Sequence, residues 1–355
     1  MKKKFKNPFS FQVDYDRESI FKIATDKEKE EQTFMRPSTS FFGDAVRRFK
    51  RNKIAVISLI FILVVLLAIF IIPLFYPYSY DQQLGIIPGQ PVDGDFANLA
   101  PFTFCPAEKE RIAAGEFIWP HIFGTDSLGR DYFIRVIYGA RVSLLVGFFA
   151  AFIVLIVGTI YGSISAFSGG KVDMVMMRIV DVIYSLPDMV IIILLSVVLN
   201  NAFDFEGTPL ESIGTSLISI FIVYALLYWV GMARLVRGQV LSIKQTEYVL
   251  ASRSIGTSTP MILRKHIIPN CLSVIIVSAT LQVPSAIFTE SFLSFIGLGV
   301  SAPMPSLGSL ASDAIQSLSV YPYLLLIPAV FICLIVLALN LAGDGLRDAF
   351  DPKQK

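Results

Sequence analysis

The sequence has few of the side chains that usually bind metal ions or form disulfide bonds. Its 355 residues include three cysteines, Cys105, Cys271 and Cys333, and no CxxC pair. The two histidines, His121 and His266, are far apart in the sequence and form no cluster with the cysteines. We therefore predict neither a disulfide framework nor a zinc site, and the sequence suggests no other metal site.

Charged residues are also scarce. Asp, Glu, Lys and Arg make up 16% of the chain, whereas a typical soluble protein has about 25%. Hydrophobic residues make up 54%, the mean hydropathy is +0.65, and the apolar residues form uncharged runs long enough to cross a bilayer. This pattern predicts an all-α polytopic membrane protein. The sequence carries no nucleic-acid-binding signature, and its basic N-terminus is interpreted as a topology signal that can contact anionic lipid.

The phosphate-binding loop GxxxxGK[ST] is missing as well. The nearest stretch, Gly169–Lys171, lacks the first glycine of the motif and the hydroxyl residue that follows the lysine. The chain is therefore not expected to bind and hydrolyse ATP in the manner of a phosphate-loop ATPase. We predict neither catalytic residues nor a cofactor in it.

Six apolar runs are predicted to be transmembrane helices. They lie at about 54–73, 142–167, 179–199, 213–233, 271–289 and 320–341. The predicted organisation is a cytoplasmic arm, a first transmembrane helix, an extracytoplasmic loop, a five-helix core and a cytoplasmic tail, at 1–53, 54–75, 76–139, 140–345 and 346–355. The core includes a cytoplasmic loop at 234–270.

The distribution of basic residues predicts the orientation in the membrane. Of the 30 Lys and Arg residues, 14 precede the first run, 2 follow the second, 6 lie in the 234–270 loop and 3 lie in the tail. The other 5 lie between the first two runs. Because short cytoplasmic loops carry an excess of basic residues, both termini are predicted to be cytoplasmic.

The second run contains two local signals. Gly158 and Gly162, four residues apart, form a small-residue face suited to close helix packing. Before the run, Asp126 or Ser127 is predicted to be the N-cap of the helix that carries Tyr132 into the membrane.

A polar and basic stretch, Glu247–Asn270, separates the fourth and fifth runs; we call it the elbow. It predicts a short helix that ends at Gly256, because glycine readily adopts the left-handed conformation just after a helix. Thr259 is then a candidate N-cap, and Pro260 suits the first turn of a second helix. The elbow is therefore predicted to be a helix, a tight turn and a helix that leads into the membrane.

The first helix of the elbow has the composition of a docking surface. Small residues at Ala251 and Ser252 would let the backbone of a partner approach closely. Apolar surface comes from Tyr248, Val249, Leu250 and Ile255. The alternative is an ordinary cytoplasmic helical hairpin without a partner.

The elbow resembles the EAA loop of permease subunits from binding-protein-dependent ABC importers. Glu247, Ala251 and Gly256 match the glutamate, an alanine and the glycine of that loop, and the IIPN of Ile267–Asn270 matches its end. In that family the loop is a coupling helix that sits in a groove of the cytoplasmic ATPase. The resemblance assigns this coupling role to Glu247, Tyr248, Ala251, Ser252, Arg253 and Gly256.

The resemblance extends over about Phe123–Pro352 and is most specific to C-type subunits of the peptide and nickel branch. The matching stretches, in order, are FGTDSLGRD, YGARVSLLVG, the pattern Arg178, Asp181 and Pro187, ARxxRG, SFIGLGV, PSLGSLASDA and ALNLAGDGLRDAFDP. It implies the type I ABC importer permease fold with six transmembrane helices, in a bacterial inner membrane.

The same resemblance implies the partners. One such subunit pairs with a homologous permease, two cytoplasmic ATPase subunits bind ATP and Mg, and an extracytoplasmic solute-binding protein delivers peptide.

Three alternatives are an importer of nickel chelates or other small solutes, an ion-gradient secondary transporter, and a membrane scaffold or sensor. The few acidic residues and the lack of an obvious inverted repeat argue against the second.

Asp181, Asp188 and Glu290 are the acidic residues nearest the membrane and are candidates for the translocation pathway. Asp181 and Asp188 are seven residues apart and are predicted to share one helix face. The alternative for Asp181 is a cap or an ion pair with Arg178 near the interface. Asp188, just after Pro187, is the better candidate to attract the ammonium group of a peptide.

Overall fold

The structure is a computed structural model that describes residues 41–85, 96–202, 215–300 and 304–350. Most of the predicted N-terminal arm, much of the loop after the third run and the end of the tail lie outside these residues. Residues 1–44 form a unit of their own, and the account below concerns the unit Ala45–Lys355. Apart from two isolated β-bridges, Gln83 with Arg130 and Thr125 with Asp131, the described residues form helices, turns and loops.

We number the described α-helices in chain order. The first seven are α1 (Phe41–Arg51), α2 (Lys53–Phe75), α3 (Pro106–Ala113), α4 (Tyr132–Ser168), α5 (Gly170–Ser185), α6 (Asp188–Ala202) and α7 (Thr215–Leu227). The others are α8 (Trp229–Ile243), α9 (Glu247–Ser254), α10 (Thr259–Ile262), α11 (Ile268–Phe295), α12 (Leu307–Ile315) and α13 (Tyr323–Phe350). A π-helical turn, Leu263–Ile267, joins α10 to α11.

Five helical stretches are long and apolar enough to cross a membrane, which agrees with the predicted polytopic architecture. They are Lys53–Phe75, Tyr132–Ser168, Leu217–Ile243, Thr259–Phe295 and Tyr323–Phe350. The sixth predicted span, at about 179–199, is broken: α5 and α6 meet at an angle of 89°. Leu186 is extended, with ψ of 142°, because the ring of Pro187 disfavours a helical conformation in the residue before it.

The break corrects one prediction. Asp181 lies in α5 and Asp188 is the first residue of α6, so the two residues belong to helices of different direction. They do not share a helix face.

Two predicted helix boundaries also change. The N-cap of α4 is Asp131, whose Oδ1 accepts from the Ile134 N–H at 3.1 Å. Neither predicted cap, Asp126 or Ser127, fills this position, and Asp126 instead binds the guanidinium groups of Arg130 and Arg135. At the other end of the chain, α13 continues to Phe350, through the segment that was predicted to follow the last span.

The small-residue face of α4 packs as predicted. A Cβ atom on Gly158 would lie 2.6 Å from Met232 Cβ, and one on Gly162 would overlap the carbonyl oxygen of Ala233. Both neighbours belong to α8, so these glycines allow the backbones of α4 and α8 to approach closely. The prediction of close packing at this face is confirmed.

A buried charge network holds the loop between α2 and α4 against the start of α4. His121 Nδ1 lies 2.8 Å from Asp131 Oδ2, and His121 Nε2 lies 3.1 Å from Glu108 Oε1. All three side chains are buried, and Tyr76 donates a further hydrogen bond to Asp131 at 3.2 Å. Burial alone would lower the pKa of His121, but the two carboxylates accept from its ring nitrogens and raise the pKa from 6.5 to about 9. His121 is therefore an imidazolium at neutral pH.

The network predicts that stability depends on pH. Because the folded-state pKa of His121 is raised, its contribution is complete below about 6.5 and is lost as the pH rises through about 9. This contribution is on the order of 3 kcal/mol. We expect the melting temperature of the purified chain to fall across this window, and the fall to be much smaller in His121→Gln. Parallel pH profiles for the two proteins would contradict the assignment.

Candidate functional site

The first helix of the elbow, α9, ends as the sequence predicted. Gly256 has φ of +82°, and its N–H donates to the Arg253 carbonyl at 3.0 Å. The next N–H, of Thr257, donates to the Ser252 carbonyl at 3.2 Å, which completes a Schellman motif. A Cβ atom on Gly256 would meet nothing within 4 Å. Glycine is therefore required here by the backbone conformation and not by lack of space.

The second helix of the elbow differs from the prediction in one detail. The N-cap of α10 is Ser258 and not Thr259, whereas Pro260 occupies the first turn as expected. The chain then passes through the π-helical turn, in which the Ile268 N–H donates to the Leu263 carbonyl. Pro269 has no N–H to continue the ordinary ladder. This turn connects the elbow directly to the long membrane helix α11.

Two sides of the elbow have different surroundings. Val249, Ser252 and Ile262 are buried, and Val249 and Ile262 pack in one cluster with the membrane helices. The buried positions 249 and 252 are three apart and so lie on one face of α9. This arrangement corrects the expectation that Val249 and Ser252 face a partner.

The other side of the elbow carries large apolar side chains in contact with solvent. Ile255 is 82% exposed, and Tyr248, Leu250 and Met261 are each about half exposed. Glu247, Ala251 and Arg253 are exposed as well. We call the four apolar residues Tyr248, Leu250, Ile255 and Met261 the elbow surface. Several exposed apolar side chains on one short segment are typical of a protein-interaction site.

Glu247 is not the cap of its own helix. The N-cap of α9 is Thr246, and no side chain caps the helix; the Thr246 hydroxyl donates instead to the Ile243 carbonyl at 2.6 Å. Glu247 stands in the first turn, where the helix dipole favours a negative charge. Glu247 is therefore not a cap, and its contact with a partner stays a prediction.

Polar contacts that the sequence did not predict connect α8, which leads into the elbow, to α4 and α5. Lys244 Nζ, just after α8, donates to the carbonyls of Ala166 and Phe167 at 3.1 and 2.8 Å. The Arg237 guanidinium donates twice to Asp173 of α5, both times at 2.6 Å. A cation at the end of α4 satisfies carbonyls that the helix leaves open. These contacts join α8, just before the elbow, to α4 and α5, and the other end of the elbow continues into α11.

Of the three pathway candidates, Asp181 forms an exposed ion pair, with Arg234 of α8 at 2.7 Å. This contact replaces the predicted pair with Arg178. Arg234 also stacks over the Tyr184 ring, 4.1 Å from its centroid. The side chain of Asp188 lies outside the described residues.

Glu290 of α11, the third pathway candidate, is fully buried. Its carboxylate accepts hydrogen bonds from Ser143 at 2.7 Å and from Ser294 at 2.8 Å. In this conformation Glu290 joins α4 to α11 inside the bundle.

A cavity of about 370 Å³ lies beside the break between α5 and α6. Its walls are apolar and aromatic, with two tyrosine rings that can also offer a hydroxyl. They comprise Ile183, Tyr184, Leu186, Pro187, Ile191, Leu227, Tyr228, Val230 and Gly231. Asp188 directly follows one of these residues. The cavity was not predicted, because residues 179–199 are predicted from the sequence to form one unbroken span.

Comparison with known proteins identifies the family. Residues 158–355 match the family model "Binding-protein-dependent transport system inner membrane component". Residues 40–101 match "N-terminal TM domain of oligopeptide transport permease C".

The similarity to individual relatives covers nearly the whole chain. The oligopeptide transport system permease protein OppC of Bacillus subtilis is 40% identical, over 94% of this chain and 97% of that protein. The dipeptide transport system permease protein DppC of the same organism is 42% identical, over 94% and 92%. OppC of Escherichia coli is 41% identical, over 89% and 92%.

A solved structure of the MetNI methionine ABC transporter, in inward-facing conformations, aligns with a TM-score of 0.48 at 19% identity, over 61% of this chain and 96% of that chain. The family models and the relatives agree along the chain. The chain therefore belongs to the family of inner membrane components of binding-protein-dependent transport systems.

Proposed function

We propose that this chain is a permease subunit of an ATP-driven peptide importer in a bacterial inner membrane, with both termini in the cytoplasm. It forms half of the translocation pathway, and a homologous permease forms the other half. Two cytoplasmic ATPase subunits bind ATP and Mg, and an extracytoplasmic solute-binding protein delivers the peptide. The relatives named as oligopeptide and dipeptide permeases support the substrate class.

The observation that carries this proposal is the elbow surface. The elbow, whose first helix is fixed at its end by a Schellman motif, presents Tyr248 and Leu250 of α9, Ile255 just after it and Met261 of α10 to solvent. Removing one such side chain from water stabilises a complex by about 1.5–3 kcal/mol at most. An ATPase groove that covers this surface therefore gains affinity from the four residues, while Glu247 and Arg253 supply charge at its rim.

Transmission of force follows from how the elbow is attached. When the ATPase subunits close on ATP, they displace α9 and α10 together. The π-helical turn passes this displacement into α11, and Lys244 and Arg237 pass it into α4 and α5. The two permease halves then rock as rigid bodies, so that the pathway opens alternately to each side of the membrane.

The cavity beside the α5–α6 break is the part of the pathway that we assign to this chain. Its apolar walls suit peptide side chains, and a peptide also carries an ammonium group that needs a partner of opposite charge. We assign this role to Asp188, which follows Pro187 of the cavity wall in the sequence and is the first residue of α6. Acidic residues at membrane depth usually face a water-filled path.

This assignment predicts the effect of Asp188→Asn. We expect the substitution to reduce the rate of peptide uptake several-fold, because it removes the charge that attracts the ammonium group. The matched control is Asp181→Asn, since Asp181 is engaged in an exposed ion pair worth about 0–1 kcal/mol. Labelled-peptide uptake in cells measures both variants, and an unchanged rate and affinity in Asp188→Asn would remove it from the pathway.

The function itself is tested by uptake in cells that lack this chain. We expect uptake of a labelled dipeptide or oligopeptide to be lost, to return with the wild-type chain, and to need ATP when ionophores have collapsed the ion gradients. Loss of nickel uptake alone would change the substrate class to metal chelates. Uptake that follows the ion gradient without ATP would show a secondary transporter and overturn the proposal.

A further inference from the structure

A second group of exposed apolar side chains lies at the C-terminal end of α2, the first membrane helix, and in the loop that follows it. Leu74 and Phe75, in the last turn of α2, are 77% and 78% exposed. In the loop that follows, Phe117 is 82% exposed and Trp119 is 45% exposed. We call these four residues the α2-end surface.

Ring contacts make this surface continuous. The rings of Phe117 and Trp119 are 5.9 Å apart, and the Trp119 ring lies 6.2 Å from that of Tyr76. Tyr76 directly follows Phe75 as the C-cap of α2. Phe117 and Trp119 thus lie beside the end of a helix that is long and apolar enough to cross a membrane.

The loop is held in this place by contacts of Tyr78 with Trp119 and with the buried His121. The Tyr78 hydroxyl donates to the Trp119 carbonyl at 2.9 Å, and the Tyr78 ring packs on His121 at a centroid distance of 4.9 Å. His121 belongs to the buried network with Glu108 and Asp131. The position of Trp119 beside α2 is therefore set by the fold.

We propose that Phe117 and Trp119 insert into the membrane–water interface, so that the loop between α2 and α4 rests on the lipid bilayer. The occupant is lipid because the surface continues the lipid-facing side of α2, where Leu74 and Phe75 are already exposed at the end of a transmembrane helix. Trp prefers this depth, since its ring is apolar and its N–H can reach the headgroups. The loop thereby fixes the depth and tilt of α2 in addition to covering the start of α4.

The chain allows a direct test, because Trp119 and Trp229 are its two tryptophans. In Trp229→Phe, Trp119 is the sole indole. The full-length variant is reconstituted in phosphatidylcholine vesicles that contain lipid brominated either near the headgroup or near the chain ends. The matched control is Trp119→Phe, which retains only Trp229. Trp229 lies inside the bundle beside Tyr161, with a ring distance of 4.5 Å, so this variant reports how strongly the quenchers reach a buried indole.

We expect the shallow brominated lipid to remove most of the Trp119 emission, the deep one to remove much less, and aqueous acrylamide to quench it weakly. In Trp229→Phe with Phe117→Ser, the quenching by shallow lipid should fall. Strong acrylamide quenching without lipid quenching would show a loop in water and overturn the proposal. Protection from both quenchers would show that protein, such as a second copy of the chain, covers the surface, and would overturn it as well.

Discussion

Replacing Gly162 with alanine is expected to destabilise the protein by about 1–3 kcal/mol, through overpacking. The added Cβ would overlap the Ala233 carbonyl and approach the Arg237 backbone nitrogen to 3.1 Å. Backbone atoms of α8 cannot rotate away, so the two helices must separate. Separation would also disturb the Arg237–Asp173 contact on the same side.

The matched control is Gly238→Ala, also within a helix. A Cβ on Gly238 meets nothing within 4 Å, and alanine is favoured over glycine in a helix by about 1 kcal/mol. The control should therefore be neutral or stabilising, opposite in sign to Gly162→Ala. Thermal unfolding of both purified variants in detergent measures the difference. Equal melting temperatures would show that the contact between α4 and α8 is looser than described.

Replacing Gly256 with valine is expected to abolish most transport while leaving the chain folded in the membrane. At φ of +82°, a side chain on the residue raises the conformational free energy of the backbone by roughly 1–2 kcal/mol, and a β-branched side chain raises it further. Since no atom lies near the position of a Cβ atom, the penalty comes from the backbone alone. This backbone strain is released when the turn opens, and the opening moves the elbow surface away from its partner.

A series at this position separates backbone conformation from side-chain size. Asparagine tolerates the left-handed region better than alanine, and alanine better than valine. We therefore expect uptake to decrease in the order Gly256, Asn, Ala, Val, with ATP hydrolysis retained longer than uptake. If Gly256→Asn were as impaired as Gly256→Val, size or partner contact would be responsible, and the rigid-turn explanation would be wrong.

The sequence was sufficient for features that depend on local physical rules. Long apolar runs have few alternatives to a membrane helix, so five of the six predicted spans correspond to unbroken helical stretches, although tertiary contacts were unknown. The turn at Gly256 was predicted because glycine is strongly preferred in the left-handed position after a helix. The close approach at Gly158 and Gly162 followed from their spacing.

Features that depend on competition between contacts were not predicted correctly. Asp126 is one of the two predicted caps of α4, but its carboxylate binds two arginines, and Asp131 caps the helix. The bend at Pro187 lies in an apolar run, where hydropathy gives no sign of a change in direction.

Long-range polar contacts leave no periodic trace in the sequence. His121 meets Glu108 and Asp131 from 13 and 10 residues away. The inward face of α9 could not be separated from its outward face, because both carry small or apolar residues. The orientation from basic residues stays a prediction.

The central claim is that the elbow surface binds the ATPase subunits, and purification of the assembled complex tests it most directly. The tagged chain is extracted from its native membrane in mild detergent as wild type, as Ile255→Asp, and as Leu128→Asp. Ile255 and Leu128 are both exposed apolar residues, but Leu128 lies in the loop before α4.

We predict that wild type and Leu128→Asp retain the second permease and both ATPase subunits. Ile255→Asp should retain the permease and bind the ATPases roughly tenfold more weakly or worse, since a charge replaces a buried apolar contact. Full retention of the ATPases by Ile255→Asp, or a wild-type chain that purifies alone, would contradict the claim.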